Sequence, residues 1–218
     1  MSNNPHSWSS PANRAEPKTP RTAMAMTDPL GLLLLTGGQG RRLGGPKHGR
    51  GHPLGGSWGG QLVAVFEALC PDGPIQLLGE ALPDRPELAN RPDSGRGPAL
   101  ALVGWAGWAA RPRAMRWWLV ACDQVRWTAP ALAAWLARTQ AADPDAEAWV
   151  MAMHEGYPQL LGGVLADALV PRLAQLSVPS LRGLAQALPT RVLEAQGEPW
   201  DDVDTPEALR AWRASPPG

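Results

Sequence analysis

The chain has 218 residues, 24 of them glycine and 24 proline; 44% are hydrophobic, and 20 basic side chains balance 20 acidic ones. That length is ample to bury a core, and the charge balance excludes a global field that recruits nucleic acid or an anionic membrane. Two cysteines, Cys70 and Cys122, exclude a disulfide framework and a four-thiolate zinc site. No apolar run approaches the ~20 residues that span a bilayer. The opening Met1-Ser2-Asn3-Asn4 lacks the basic and apolar regions of a secretory signal, so a cytoplasmic globular protein is expected.

Residues 1–28 are Ser, Pro, Asn, Ala and Thr with scattered charges and no period. Such a segment buries too little apolar surface to offset its ordering entropy, which predicts a disordered tail ahead of a single domain at 29–214. Ser215-Pro216-Pro217-Gly218 reads as a frayed end. Residues 30–36 form a continuous apolar run ending in glycines, as a strand buried on both faces does. Leu62, Val65, Phe66 and Leu69 recur at helical spacing over 61–70, and Pro71-Asp72-Gly73 stops that helix. A second strand is expected at 75–79. A helix with proline in its first turn is expected at 98–110, with Leu102, Val103 and Ala106 on one side.

A third strand at 117–121 ends in Cys122-Asp123, and Thr128 then caps a helix whose inner stripe is Leu132, Trp135 and Leu136. Runs at 149–153 and 157–161 flank His154-Glu155-Gly156 and predict a hairpin. Helices are expected at 164–176 and 180–188, and a late strand at 191–194. A last helix opens at Asp204-Thr205-Pro206-Glu207 and turns Leu209 and Trp212 to the core. Trp105, Trp135 and Trp149 are expected in the interior. Strand alternating with helix predicts an α/β fold, a mostly parallel sheet with helices on both faces and one antiparallel excursion near 149–161.

The run from Leu32 to Lys47 carries the chemistry. A buried strand enters a loop with five glycines in nine positions, 37–45, followed closely by Lys47 and containing Arg41 and Arg42. Glycines let successive backbone amides turn inward as an anion nest, and the three cations add charge where the carboxyl edge of a sheet opens. Triphosphate is the natural guest; an ordinary flexible loop is the plain alternative. A Walker A loop fails because Pro46 precedes Lys47 and His48 follows it, which leaves no hydroxyl for magnesium. A dinucleotide fingerprint fails because Leu43 stands where its third glycine belongs. Asp123, leaving a buried strand, needs a cation, a donor or water, and beside a phosphate loop it suits a Mg²⁺ ligand. Otherwise it merely opens the next turn.

The segment Leu35-Thr36-Gly37-Gly38-Gln39-Gly40-Arg41-Arg42-Leu43-Gly44-Gly45-Pro46-Lys47 resembles the signature of the molybdenum cofactor guanylyltransferases, small members of the nucleotide-diphospho-sugar transferase superfamily. The resemblance extends in order over most of residues 31–212. It implies a three-layer Rossmann-like fold and transfer of GMP from GTP to the phosphate of molybdenum-bound molybdopterin, releasing pyrophosphate, with Mg²⁺ as cofactor. It places Leu35, Thr36, Gly37, Gly38, Gly40, Arg41, Gly44 and Lys47 on the nucleotide, and Arg42, Lys47 and Asp123 in catalysis. It makes Asp123 the expected metal ligand. Asp93-Ser94-Gly95-Arg96-Gly97-Pro98 resembles the family segment beside base and ribose, which adds Asp93 and Gly97 to the nucleotide site, with Ala101 in place of a family glycine.

His154-Glu155-Gly156-Tyr157-Pro158-Gln159 and Ser180-Leu181-Arg182 match the family more loosely, the former on the acceptor side. The element Asp201-Asp202-Val203-Asp204-Thr205-Pro206-Glu207 carries Asp at two family Asn positions, 202 and 204, next to metal or acceptor. Gly37-Gly38, where related cytidylyltransferases carry Ala-Gly, favours guanine; cytidylyl transfer and an inactive nucleotide-binding regulator are the other readings. A molybdoenzyme or cofactor-delivery protein would receive the product. Residues 40–60 hold nine glycines, and Gly55-Gly56-Ser57-Trp58-Gly59-Gly60 stands where the family passes straight into a helix, either as a lid with Trp58 stacking on a base or pterin or as a loop expansion.

Overall fold

Every residue of the first strand, Leu30–Leu35 (β1), is buried, and its side chains divide between two cores. Leu33 and Leu35 join one cluster, while Leu30, Leu32 and Leu34 join the other, as the two-residue period of a strand requires. The structure is a computed structural model that describes residues 29–38, 40–93 and 95–214. The expected tail at 1–28, the frayed end at 215–218, and Gln39 and Ser94 of the two motifs lie outside the described residues.

Six further strands complete one sheet: Ile75–Leu78 (β2), Asn90–Arg91 (β3), Arg116–Ala121 (β4), Trp149–His154 (β5), Tyr157–Ala166 (β6) and Thr190–Glu194 (β7). Their order is β3-β2-β1-β4-β6-β5-β7. Strand β6 alone runs antiparallel to its neighbours, β4 and β5, and the remaining pairings are parallel. Helices Trp58–Glu67 (α1) and Ala129–Ala142 (α3) cover one face through Leu62, Phe66, Leu132 and Trp135. Helices Pro98–Ala106 (α2), Val170–Leu173 (α4) and Leu181–Ala187 (α5) cover the other through Leu102, Trp105, Leu173 and Leu184. Helix Pro206–Ala214 (α6) buries no residue completely and rests Leu209 and Trp212 on a small cluster of Trp58, Val125 and Val203. The expected three-layer α/β arrangement is present, and Trp105, Trp135 and Trp149 are interior.

Several local expectations change. Residues 164–166 are not helical: Val164, Leu165 and Ala166 extend β6 between Trp118, Trp117 and Arg116 of β4 and the start of β5. Pairing on both sides overrides the helical spacing there, and the helical segments begin only at Asp167. Strand β3 escaped notice because two polar residues carry no hydrophobic period. The turn between β5 and β6 is two residues, Glu155 and Gly156, both at positive φ (51° and 79°), the geometry that suits the twist of a tight hairpin.

The glycine-rich segment has a structural reason. Ser57 caps α1, which starts at Trp58 rather than at 61; its hydroxyl accepts from Gly60 N at 2.9 Å and donates to Asp84 Oδ1 at 2.6 Å. The Ser57 N–H donates to Asp84 Oδ2 at 2.7 Å. A Cβ on Gly60 would fall 2.3 Å from that carboxylate oxygen, so glycine lets Asp84 seat on the helix start. Trp58 is fully buried, which removes it as a stacking lid. Ordinarily Gly→Ala within a helix gains about 0.5–1 kcal/mol. Here Gly60→Ala should lower the melting temperature of the wild type but raise it in an Asp84→Ala background, a reversal that a thermal double-mutant cycle reads directly.

Candidate nucleotide site

Leaving β1, the chain first builds β2 and β3 on one side and then crosses to β4 on the other, so the sheet's direction of growth reverses between β1 and β4. Open α/β sheets bind ligands outside the carboxyl ends of the strands at such a point. A cavity of about 580 Å³ opens there, floored by Leu35, Leu78 and Ala121 at the carboxyl ends of β1, β2 and β4. Register places those three side by side, with Leu35 opposite both Leu78 and Ala121.

Ten of the residues named from the sequence as site candidates line this cavity: Leu35, Gly37, Gly38, Gly40, Arg42, Lys47, Asp93, Gly97, Asp123 and Asp204. Lys47 and Asp123, 76 positions apart, meet at 2.6 Å between Nζ and Oδ2, with side chains only 19% and 17% exposed. Gly40 turns the loop at φ 52°, and its carbonyl accepts from the N–H groups of Leu43 (2.9 Å) and Gly45 (3.2 Å). A Cβ there would lie 1.9 Å from the Gly45 oxygen. On Gly37 a Cβ would lie 2.3 Å from Asp93 Oδ2, so the acidic residue after β3 packs directly on the glycine loop. Asp93 Oδ1 also accepts from Gly95 N at 2.7 Å.

Two of the expected residues do not line the cavity. Thr36 is fully buried and its hydroxyl donates to the Glu80 carbonyl at 2.6 Å, away from the cavity. Gly44 lies in the same loop but does not line the cavity. Arg41 opens the short 3-10 turn Arg41–Leu43 that carries Arg42. Of the looser matches, Glu155 forms the hairpin turn and Ser180 caps α5 through Gly183 N at 3.1 Å, and neither lines the cavity. Thr205 caps α6 by accepting from Ala208 N at 3.1 Å. Leu78, Ala121 and Leu161 line the cavity without having been expected there, while Gly95 and Pro98 line it from the segment expected beside base and ribose. For the first two, the signal available was their place at the ends of strands flanking β1.

The segment before α6 crosses the mouth of the cleft. Val203 N donates to the Asp123 carbonyl at 3.0 Å, and Asp204 Oδ2 pairs with the Arg42 guanidinium at 3.0 Å. That pair is exposed, 76% and 38%, and exposed pairs contribute only about 0–1 kcal/mol, so Arg42 is released to a better anion at little cost. Burial of its carboxyl and the nearby charges of Asp123, Asp204 and Asp201 push Asp202 up to about 7, against the opposing charge of Lys47. Burial and the neighbouring Asp123 also push the Cys122 thiol well above its ordinary range, which suits a packed residue and not a nucleophile.

Among the described residues, no three His, Cys, Asp or Glu side chains converge as a ready-made metal cluster. Magnesium does not need one, since it takes one or two carboxylates with phosphate oxygens and water. Asp123 lines the cavity with Asp204, and Asp202 lies within their electrostatic reach; hard oxygen donors of this kind fit a divalent cation.

The Asp202 shift has a sign that can be measured. Its carboxyl titrates near ~3.9 when unfolded and near 7 when folded, so the native state holds the proton more tightly. The contribution of this one group to stability is therefore greatest below ~4 and falls as pH rises from there to 7. The residue keeps open surface, and water softens the size of the loss. Asp202→Asn in metal-free buffer should match the wild-type melting temperature near pH 4 and exceed it above pH 7; equal gains at both would contradict this origin.

No protein-family model matches the sequence, and no curated protein matches it. Solved structures do. Rv0371c from Mycobacterium tuberculosis H37Rv aligns with a TM-score of 0.60 at 20% identity, over 87% of this chain and 100% of that one, and the same protein has been solved in complex with manganese. Molybdopterin-guanine dinucleotide biosynthesis protein A from Archaeoglobus fulgidus aligns at 0.59 and 14% identity, over 83% and 95%. A 4-diphosphocytidyl-2C-methyl-D-erythritol synthase aligns at 0.55 and 11% identity, over 85% and 97%. The chain thus shares the α/β fold of these solved proteins.

Proposed function

We propose that the protein is a nucleotidyltransferase that moves GMP from GTP to the terminal phosphate of molybdenum-bound molybdopterin. The observation that carries this reading is the meeting of Lys47 and Asp123 at 2.6 Å on the wall of one cavity, against the glycine loop. An oxygen of the acceptor phosphate forms a bond to the α-phosphorus as the bond from that phosphorus to the β-bridging oxygen breaks, and pyrophosphate leaves with the electron pair. The acceptor is already a nucleophile, so no catalytic serine or cysteine is required.

The chain's task is alignment and charge balance. Gly37, Gly38 and Gly40 present backbone to the phosphates without intervening side chains, with Arg41 and Gly44 in the same loop. Arg42 exchanges Asp204 for a phosphate oxygen, and Lys47 balances charge developing on the leaving group. Asp93 and Gly97 border the base and ribose. Asp123, with Asp202 next to it, would hold Mg²⁺, which when bound neutralises phosphate charge and polarises the α-phosphorus. Asp202 and Asp204 stand toward the acceptor, which a molybdoenzyme or a delivery protein would take on after transfer.

The test is pyrophosphate exchange with a panel of nucleoside triphosphates and molybdenum-molybdopterin. GTP-dependent exchange is expected. Exchange with CTP alone would make the protein a cytidylyltransferase, and GTP binding with no exchange would make it a regulator. By the size of single-donor losses, Lys47→Ala should lower kcat/KM by ~10², about 3 kcal/mol. Asp123→Ala should abolish magnesium-dependent turnover while circular dichroism shows a folded chain; an active variant would remove Asp123 from the chemistry.

A further inference from the structure

Arg50 lies in the glycine-rich segment that the proposed chemistry leaves unused. Its guanidinium NH2 donates to the carbonyl of Leu43, the last residue of the 3-10 turn that carries Arg42. The same guanidinium sits 6.0 Å from the ring centre of Trp58, a tryptophan with no exposed surface. Its backbone is tied at both ends: Arg50 N donates to the Lys47 carbonyl at 3.1 Å, and Arg50 O accepts from Trp58 N at 2.8 Å. One residue therefore touches, by three separate bonds, the Arg42 turn, the Lys47 backbone and the first turn of α1.

The surrounding segment is built to keep it there. Gly51 bridges to Ser57, Trp58 Nε1 donates to the Gly51 carbonyl at 3.2 Å, and Gly59 N donates to the His48 carbonyl at 3.1 Å. Trp58 is in turn wedged by Trp212 of α6, edge-on at 5.7 Å. A planar guanidinium clamped on an aromatic face loses little further freedom when it bonds a carbonyl, whereas a loop of many glycines left unbraced has much to lose when it binds. Glycine supplies the loop's backbone freedom, and Arg50 takes that freedom away on the side facing the protein.

We propose that Arg50 is a positioning residue for triphosphate binding: by locking the Leu43 carbonyl against Trp58 it holds Arg42 and Lys47 at the spacing the phosphates require. The proposal rests on the nucleotide reading of the cavity given above. Two readouts on the full chain separate it from that reading. Without nucleotide, Arg50→Met should speed hydrogen exchange at the amides of Leu43 and Gly45, the two donors to Gly40. With MgGTP, calorimetry should show Kd raised about tenfold in Arg50→Met, the scale of one lost charge-assisted bond, and largely restored in Arg50→Lys.

Unchanged exchange would overturn the brace. A lowered melting temperature with unchanged Kd would reduce Arg50 to a structural residue and overturn the positioning role. Faster exchange in Arg50→Met, beside a wild type that binds neither MgGTP nor inorganic triphosphate, would instead overturn the nucleotide reading, and the positioning role with it.

Discussion

The ammonium of Lys47 and the carboxylate of Asp123 stand 2.6 Å apart, largely shielded from water, one from the loop after β1 and the other from the end of β4. Each charge alone would be costly in that position, and together they satisfy one another. Their meeting requires β1 and β4 to be neighbours and parallel, so that both strands deliver their following residues to the same edge of the sheet. The remaining site residues follow from that constraint. Asp93 arrives from β3 onto Gly37, and the 203–204 segment arrives ahead of α6 onto Asp123 and Arg42.

Charge is distributed very differently at the two ends of β4. At its amino end Arg111 forms a bidentate pair with Asp167 (2.6 and 3.1 Å), Trp117 Nε1 adds a bond to the same carboxylate at 2.8 Å, and Arg111 stacks on Trp105 at 5.0 Å. Both oxygens of Asp167 and the Arg111 guanidinium are spent on neighbours there. At the carboxyl end, Asp123 and Asp204 line the cavity within electrostatic reach of Asp202, with Lys47 and Arg42 as the opposing charges. A closed network stabilises a fold; an electrostatically unfinished one leaves free energy for a ligand to gain.

The glycine-rich segment reconciles close packing with an open cavity. Its glycines are sites of contact as much as of freedom: Asp84 occupies the space a side chain on Gly60 would take, and Gly45 that beside Gly40. Trp58, the first residue of α1, packs against Trp212 of α6 and gives Arg50 an aromatic face. The glycine loop is thereby continuous with the core through one tryptophan.

The sequence by itself determined the elements whose signal is local. A six-residue apolar run, a Thr128 cap with Pro130 behind it, and helical spacing of Leu132, Trp135 and Leu136 each specify their own conformation, and all appear as expected. Lys47 and Asp123 were legible as a pair because both follow strands that composition alone marks as buried. Tertiary structure decided what local pattern leaves degenerate. Residues 164–166 became strand because β4 and β5 flank them, and Trp58 became core because Trp212 and Arg50 close over it. Thr36 turned away because the Glu80 carbonyl lay within reach of its hydroxyl. Such outcomes depend on partners distant in the chain, and no window of sequence contains them.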